Sequence, residues 1–251
     1  MPVEFVSIQG TQPQAILGEI VEEAQACISV NGFELATFMC TPRDLDKLAV
    51  GFLYNEGVLT SPAEIASLHL STSHCVEIWL NRDFVPPERL IVTAGCGGGL
   101  TFDDLSRERD PLTSDLTVTP EQLADRMTET HLGAEIYRRS RGIHTAALAT
   151  PEKILLQVED LGRHNCLDKL AGLALLQGVA TRGLILLSSG RISSEMINKA
   201  RRMEVPVVCS RTSPTSLSVA LAEAWNITIV AYIRQKRMRV YSIPERVLQH
   251  A

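Results

Sequence analysis

The cysteine at position 96 is the residue in this chain best placed for chemistry. In Ile91-Val92-Thr93-Ala94-Gly95-Cys96-Gly97-Gly98-Gly99-Leu100, four residues are glycine and Cys96 sits among them. Glycine clusters cost backbone entropy and are kept where a chain must move or admit another group closely. A thiolate in such surroundings attacks sulfur well when its pKa lies near ambient pH. Cys96 is therefore the candidate catalytic nucleophile. The apolar residues 90–92 read as a strand that feeds it.

Three further stretches have the composition of an anion site. They are Glu159-Asp160-Leu161-Gly162-Arg163-His164-Asn165, Ser188-Ser189-Gly190-Arg191-Ile192-Ser193-Ser194 and Ser210-Arg211-Thr212-Ser213-Pro214-Thr215-Ser216. Each stands between a predicted strand and a predicted helix and offers hydroxyls or an arginine beside helix N–H groups, which together bind phosphate. A fourth, Tyr232-Ile233-Arg234-Gln235-Lys236-Arg237, places three positive charges after an apolar strand, with Arg239 following. Its ring and its arginines suit a flat heterocycle bearing phosphates. His164 belongs to the first polar turn and is a candidate ligand contact. His144 reads as a structural group at a strand start, and Asp168-Lys169 reads equally well as a surface pair.

Charge agrees with the placing of these stretches. Residues 1–135 hold 21 acidic and 7 basic side chains, whereas residues 136–251 hold 8 acidic and 17 basic ones. The second part is thus expected to meet an anion. The dinucleotide fingerprint and the Walker loop are absent, and the six cysteines form no CxxC pair and no zinc framework. No apolar run approaches the roughly 18 residues of a membrane span. No basic segment followed by an apolar one opens the chain. A cytoplasmic protein is expected, with no membrane insertion and with its cysteines as thiols.

The elements that must position these residues follow from periodicity. Residues 26–30 and 33–40 read as strands joined at Asn31-Gly32, a pair that accepts the positive φ angles of a tight hairpin. Cys27 and Cys40 then read as small packing residues, and Cys75 beside His74 likewise. Thr41 and Pro42 predict a helix start, with Leu45, Leu48, Ala49, Phe52 and Leu53 on one face and Gly57 at the end. Ser61-Pro62-Ala63-Glu64 and Thr119-Pro120-Glu121-Gln122 are capping boxes. Residues 66–80 look extended, and 102–114 read as a linker. Strands are predicted at 143–149, 154–158, 184–187, 205–209, 227–233 and 239–242. Helices are predicted at 165–177, at 193–203, and from Ser213-Pro214 to near Asn226. This alternation predicts a layered α/β fold with a partly parallel sheet. The expected division is 1–115, an α+β part ending in the Cys96 stretch and linker, and 116–251, an α/β cofactor-binding core.

Several of these segments resemble the FdhD/NarQ family of formate dehydrogenase accessory sulfurtransferases. They are Val30-Asn31-Gly32, Thr41-Pro42 through Asn55-Glu56-Gly57, Glu159 through Asn165, Ser189-Gly190-Arg191-Ile192-Ser193-Ser194-Glu195-Met196 and Ser213-Pro214-Thr215-Ser216-Leu217. The resemblance implies a cytidine-deaminase-like layered α/β core with a smaller N-terminal α+β part, assembled as a homodimer. It implies a sulfur carrier for molybdenum cofactor biosynthesis: a cysteine desulfurase loads Cys96 as a persulfide, and the sulfur passes to the molybdenum cofactor before insertion into formate dehydrogenase. The cargo is a bis(molybdopterin guanine dinucleotide), which GDP mimics, and its segment maps onto Tyr232, Ile233, Arg234, Gln235, Lys236 and Arg237. No nucleic acid and no resident metal are expected. The resemblance fails at one point. The family commonly carries C-x-x-C where this chain has Cys96 and Gly99. One thiolate suffices to hold a persulfide, but release by disulfide formation within that stretch is closed. The alternative is a cofactor-binding chaperone without sulfur transfer. Deaminase chemistry is disfavoured, because His144-Thr145-Ala146 lacks the glutamate and Ser213-Pro214-Thr215-Ser216 lacks the cysteines of zinc deaminases.

Overall fold

The computed structural model describes residues 1–87, 91–93, 99–101, 109–235 and 237–247. Cys96, Lys236 and most of the predicted linker lie outside the described residues. The chain begins with an antiparallel pair, β1 (Pro2–Gln9) and β2 (Gln12–Glu19). Next come β3 (Ala24–Val30) and β4 (Phe33–Cys40), joined where Asn31 and Gly32 take φ of 48° and 85°. This is the positive-φ hairpin that Asn-Gly predicts. Helix α1 (Leu45–Asn55) follows, then β5 (Ile65–Leu70) and β6 (Cys75–Leu80). The four strands β3–β6 form one sheet in the order β4-β3-β6-β5. Its inner face, Ala26, Ile28, Val30, Val76 and Ile78, packs on Leu45, Leu48, Ala49, Phe52 and Leu53 of α1. Short strands β7 (Ile91–Thr93) and β8 (Gly99–Thr101) pair antiparallel on either side of the Cys96 segment. The hydroxyl of Thr101 donates to Glu56 at 2.8 Å, which sets the end of β8 against the C-terminus of α1.

The remainder is the larger α/β unit. Helices α2 (Pro120–Gly133) and α3 (Glu135–Ser140) precede β9 (His144–Ala149) and β10 (Ile154–Asp160). Then α4 (Arg163–Leu176), β11 (Ile185–Ser188), α5 (Ser194–Arg202), β12 (Val207–Ser210), α6 (Ser216–Ala224), β13 (Thr228–Arg234) and β14 (Arg237–Val240) complete it. The six-stranded sheet runs β10-β9-β11-β12-β13-β14, with β11, β12 and β13 parallel. Strand alternation covers both faces. Ala146, Leu148, Leu186, Val208 and Ile229 pack under α4, α5 and α6. Ala147, Ala149, Ile185, Leu187, Val207 and Val230 pack against Leu123 and Met127 of α2. The predicted mixed α/β class is therefore observed.

Four expectations are corrected. Thr41 does not cap α1: Asp44 precedes the helix at φ 54° without a side-chain cap. Thr41 is buried, and its hydroxyl accepts from Leu161 N at 3.1 Å. Cys27 and Cys75 are not separate packing thiols but a disulfide. They are register partners on neighbouring parallel strands with Cα atoms 4.5 Å apart, inside the range a disulfide spans. In a reducing compartment the pair stands as two adjacent thiols. Asp168 and Lys169 are not a surface pair, being 1% and 0% exposed. They lie in α4, which is covered on one side by the sheet and on the other by α1. Lastly, α6 is capped by Thr215, with Ser218 completing a capping box; Pro214 instead bridges Ile192.

The contact between α1 and α4 is made at glycines. A Cβ on Gly51 would stand 1.7 Å from Asp168 O, and one on Gly172 would stand 2.0 Å from Lys47 O. Only glycine lets two helix backbones come this close. Buried polar groups line the same contact. Asp160 accepts from Thr41 N, Gly162 N, the Asn165 amide and the Lys169 ammonium at 2.5–3.1 Å. Asp168 takes the Asn55 amide at 2.7 Å and both its oxygens accept from Lys199. Burial pulls the Lys199 ammonium down, but Asp168 and Glu195 more than offset it and hold the charge. These bonds fix the first turn of α4, where the Gly162-Arg163-His164-Asn165 segment lies.

Candidate functional site

Parallel strands β11, β12 and β13 end together; the turns after β11 and β12 carry Ser189, Arg211 and Thr212, and β13 ends in Arg234. Ligands gather at such strand ends in α/β sheets. Here these residues wall a cavity of about 390 Å³, within the ~300–1,000 Å³ typical of small-molecule sites. His131 of α2, Tyr137 of α3, Arg141 and His144 close its other sides. Arg141, Arg211 and Arg234 bring three guanidinium groups, and no carboxylate lines the cavity among the described residues.

Hydrogen bonds fix the walls. Arg211 donates to His131 Nδ1 at 2.8 Å, which requires that nitrogen to be unprotonated. Burial, then Arg211, lowers the His131 pKa, so the ring is neutral. Ser189 Oγ accepts from Thr145 N at 3.0 Å and lies 3.1 Å from His144 Nδ1. Burial, then Arg163, keeps His144 neutral as well. Arg141 stacks over Tyr137 at 5.4 Å. The turns are stitched to one another: Ser210 donates to Gly190 O at 2.6 Å, and Tyr232 N donates to Thr212 O at 3.1 Å.

The predicted cofactor segment divides. Arg234 lines the cavity. Ile233 points the other way and is 2% exposed in the core beneath α2, so its side chain meets protein. Tyr232 is half-buried and carries Arg239 over its ring at 4.5 Å. Arg237 is the register partner of Arg234 across β13 and β14, and Gln235 is exposed between them. Tyr232 and Gln235 hold φ of 56° and 53°, and a register shift lies between Ala231 and Arg234. For a bulky residue such as Tyr232 this conformation is an outlier costing ~1–3 kcal/mol, a cost found chiefly at binding and catalytic segments.

The three polar turns do not form one site. Ser189, Arg211 and Thr212 face the first cavity. Arg163, His164, Arg191, Ser193 and Thr215 face a second one, of about 330 Å³. There His164 is 6% exposed. Its Nδ1 lies 3.4 Å from Glu195 Oε2, and its Nε2 lies 3.1 Å from Ser193 Oγ. The connectivity is that of a hydrolytic triad. Burial, with Lys199 and Arg163 nearby, drops the His164 pKa to about 2, however, and so weak a base removes no serine proton at neutral pH. The Ser193 hydroxyl serves instead as the cap of α5.

The His164 environment sets a pH dependence. Folded, the ring stays neutral down to about 2, whereas its ordinary pKa is 6.5. Between those values the unfolded chain binds the extra proton. The stabilisation is therefore full above 6.5 and is lost as pH falls toward 2. The expected result is that His164→Gln flattens the fall in urea-unfolding free energy between about pH 7 and pH 4. An unchanged slope contradicts a neutral buried ring.

His131, Tyr137 and Arg141 escape sequence reading, because nothing in their spacing ties them to residues about 50 to 100 positions away. The one hint is the basic run Arg138-Arg139 with Arg141. Comparison with known proteins bears on the chain as a whole. The FdhD/NarQ family model matches residues 21–248. The Sulfur carrier protein FdhD of Halalkalibacterium halodurans is 36% identical over 92% of this chain and 88% of its own length. That of Staphylococcus aureus strain MRSA252 is 35% identical over 92% and 89%. A crystal structure described as a formate dehydrogenase accessory protein, from Desulfotalea psychrophila, superposes with a TM-score of 0.82 at 27% identity and covers 99% of both chains. With the polar turns, the buried Gly162-Arg163-His164-Asn165 segment and these full-length matches in agreement, the chain belongs to the FdhD/NarQ family.

Proposed function

We propose that the protein is a cytoplasmic sulfur carrier for formate dehydrogenase maturation. The Cys96 thiolate accepts sulfane sulfur from a cysteine desulfurase as a persulfide. The S–S bond breaks, and the outer sulfur passes to the metal of a bis(molybdopterin guanine dinucleotide) cofactor. That metal supplies the two electrons that take the sulfur from the sulfane to the sulfide level, and Cys96 is left as a plain thiolate. The cofactor is the substrate, and the first cavity receives one of its guanine nucleotide arms. The observation that carries this reading is the triple-arginine wall at the strand ends, without a carboxylate among the described residues, in a chain whose relatives are sulfur carriers. The working unit is a homodimer.

The test is mass spectrometry of the intact chain after incubation with a desulfurase and cysteine. Gain of one sulfur at Cys96 supports the carrier. Absence of that gain, with tight nucleotide binding, supports a cofactor chaperone, the reading that Gly99 in place of a second thiol favours. The cavity makes its own prediction. Arg234→Glu weakens GDP binding about 10- to 100-fold, because a charge-assisted hydrogen bond is replaced by repulsion. Raised salt weakens binding in the wild type, since Arg234 is exposed and screened. Calorimetric titration of GDP that tolerates both changes removes Arg234 from the site.

A further inference from the structure

The second cavity opens where the N-termini of α4, α5 and α6 converge, and it shares no lining residue with the first. Its deepest cation is Arg163, the first residue of α4, which is only 5% exposed. Among the described residues this guanidinium makes no hydrogen bond and no ion pair, and its Nε is buried without a partner. An unpaired buried charge is among the costliest features a fold can carry, so a group of opposite charge is called for. The arginine is also held in place. A Cβ on Gly190 would stand 2.8 Å from Arg163 Cβ and 3.0 Å from its Cδ, so glycine makes room for the stem.

The surroundings favour an oxyanion. Helix α4 starts at Gly162 with no side-chain cap, leaving its first N–H groups to a ligand. Arg191 stands exposed at the cavity mouth, and Ser193, Ser194 and Thr215 bring hydroxyls. One carboxylate, Glu195, is in the wall. Its Oε2 faces His164 Nδ1 at 3.4 Å, and its Oε1 lies 3.8 Å from Lys199 Nζ, so it is turned toward those two groups. We propose that this cavity is a second anion site, independent of the carrier reading. It takes a phosphoryl group, free or carried on a phosphoester, with Arg163 as the buried anchor and Arg191 as the outer clamp.

The test uses the full chain, with inorganic phosphate and phenyl phosphate as probes, at low ionic strength. Imidazole NMR signals separate the cavities, since His164 faces the second and His131 and His144 face the first. Phosphate is expected to shift the His164 signals and to raise the unfolding temperature. Arg163→Met and Arg191→Gln each weaken that titration about 10-fold, the loss expected for one charge-assisted contact. Arg191 is exposed, so its variant keeps the test open even where Arg163→Met folds poorly. Arg234→Gln leaves the His164 titration as it was. Tighter binding of phenyl phosphate assigns the site to esters, and equal or weaker binding assigns it to the free anion. Shifts confined to His131 and His144, or phosphate affinity indifferent to Arg191→Gln, overturn the proposal. Phosphate binding at His164 in a chain that never gains sulfur leaves this site standing and removes the carrier reading alone.

Discussion

Cys96→Ser is expected to abolish sulfur loading while leaving GDP affinity and the unfolding midpoint at their wild-type values. The other five cysteines make this a sharp experiment. With the Cys27–Cys75 disulfide kept oxidised during loading, neither of these two offers a thiolate. Cys40, Cys166 and Cys209 are buried free thiols. Burial, with Asp160 nearby, raises the Cys40 pKa to about 11, which leaves about one thiolate in ten thousand at pH 7. Burial pushes Cys166 up as well, with Asp160 adding to it, and burial alone pushes Cys209 up. The thiolate is the nucleophile toward sulfur, so these three do not compete. Cys166 therefore cannot supply the second thiol that Gly99 leaves missing: it packs beneath β10 with its Sγ directed at Asp160 O. Persulfide formation and formate dehydrogenase activity are the two readouts. A serine variant that still gains sulfur, or still restores the activity, overturns the carrier role of Cys96.

What the sequence discloses depends on how far apart the interacting residues are. The Asn31-Gly32 hairpin and the Thr119–Gln122 capping box are legible because every group involved lies within a few positions. Strand alternation discloses both faces of the large sheet for the same reason. Thr41 is misread as a helix cap because its partners, Asp160 and Leu161, lie about 120 positions on. Asp168 and Lys169 look like surface residues because α4 is wrapped on all sides, so its charges show no periodicity against its apolar residues. The cross-strand cysteines give no local sign of pairing. In the candidate site, the basic turns after β11 and β12 are visible as composition, but their division between two cavities is not. That division depends on which face of the sheet each turn leans over. The α2 and α3 residues that close the first cavity are set by tertiary packing alone.

The largest effect on stability is expected at the Asp160–Lys169 pair. Both side chains are fully buried, and Lys169 Nζ stands 2.5 Å from Asp160 Oδ2 and 3.2 Å from Thr41 O. Lys169→Met leaves the Asp160 carboxylate in the interior with only N–H donors, and Asp160→Leu leaves the ammonium with one carbonyl. Removing one partner of a buried pair costs about 3–5 kcal/mol, a large part of the ~5–15 kcal/mol that holds a domain folded. Removing both leaves no uncompensated charge, so the double variant is expected to lose less than the sum of the singles. Urea unfolding of the four proteins in a double-mutant cycle measures this directly. Additive losses, or single losses below about 1 kcal/mol, contradict a coupled buried pair. The same cycle bears on function, because Asp160 also accepts from Gly162 N and Asn165 and so sets where α4 begins. Arg163 and His164 take their places from that start. In any single variant that still folds, the His164 ring signals are therefore expected to move even without ligand. Unmoved signals beside a large stability loss would confine the pair to holding α4 against the Thr41 segment, with no hand in shaping the second cavity.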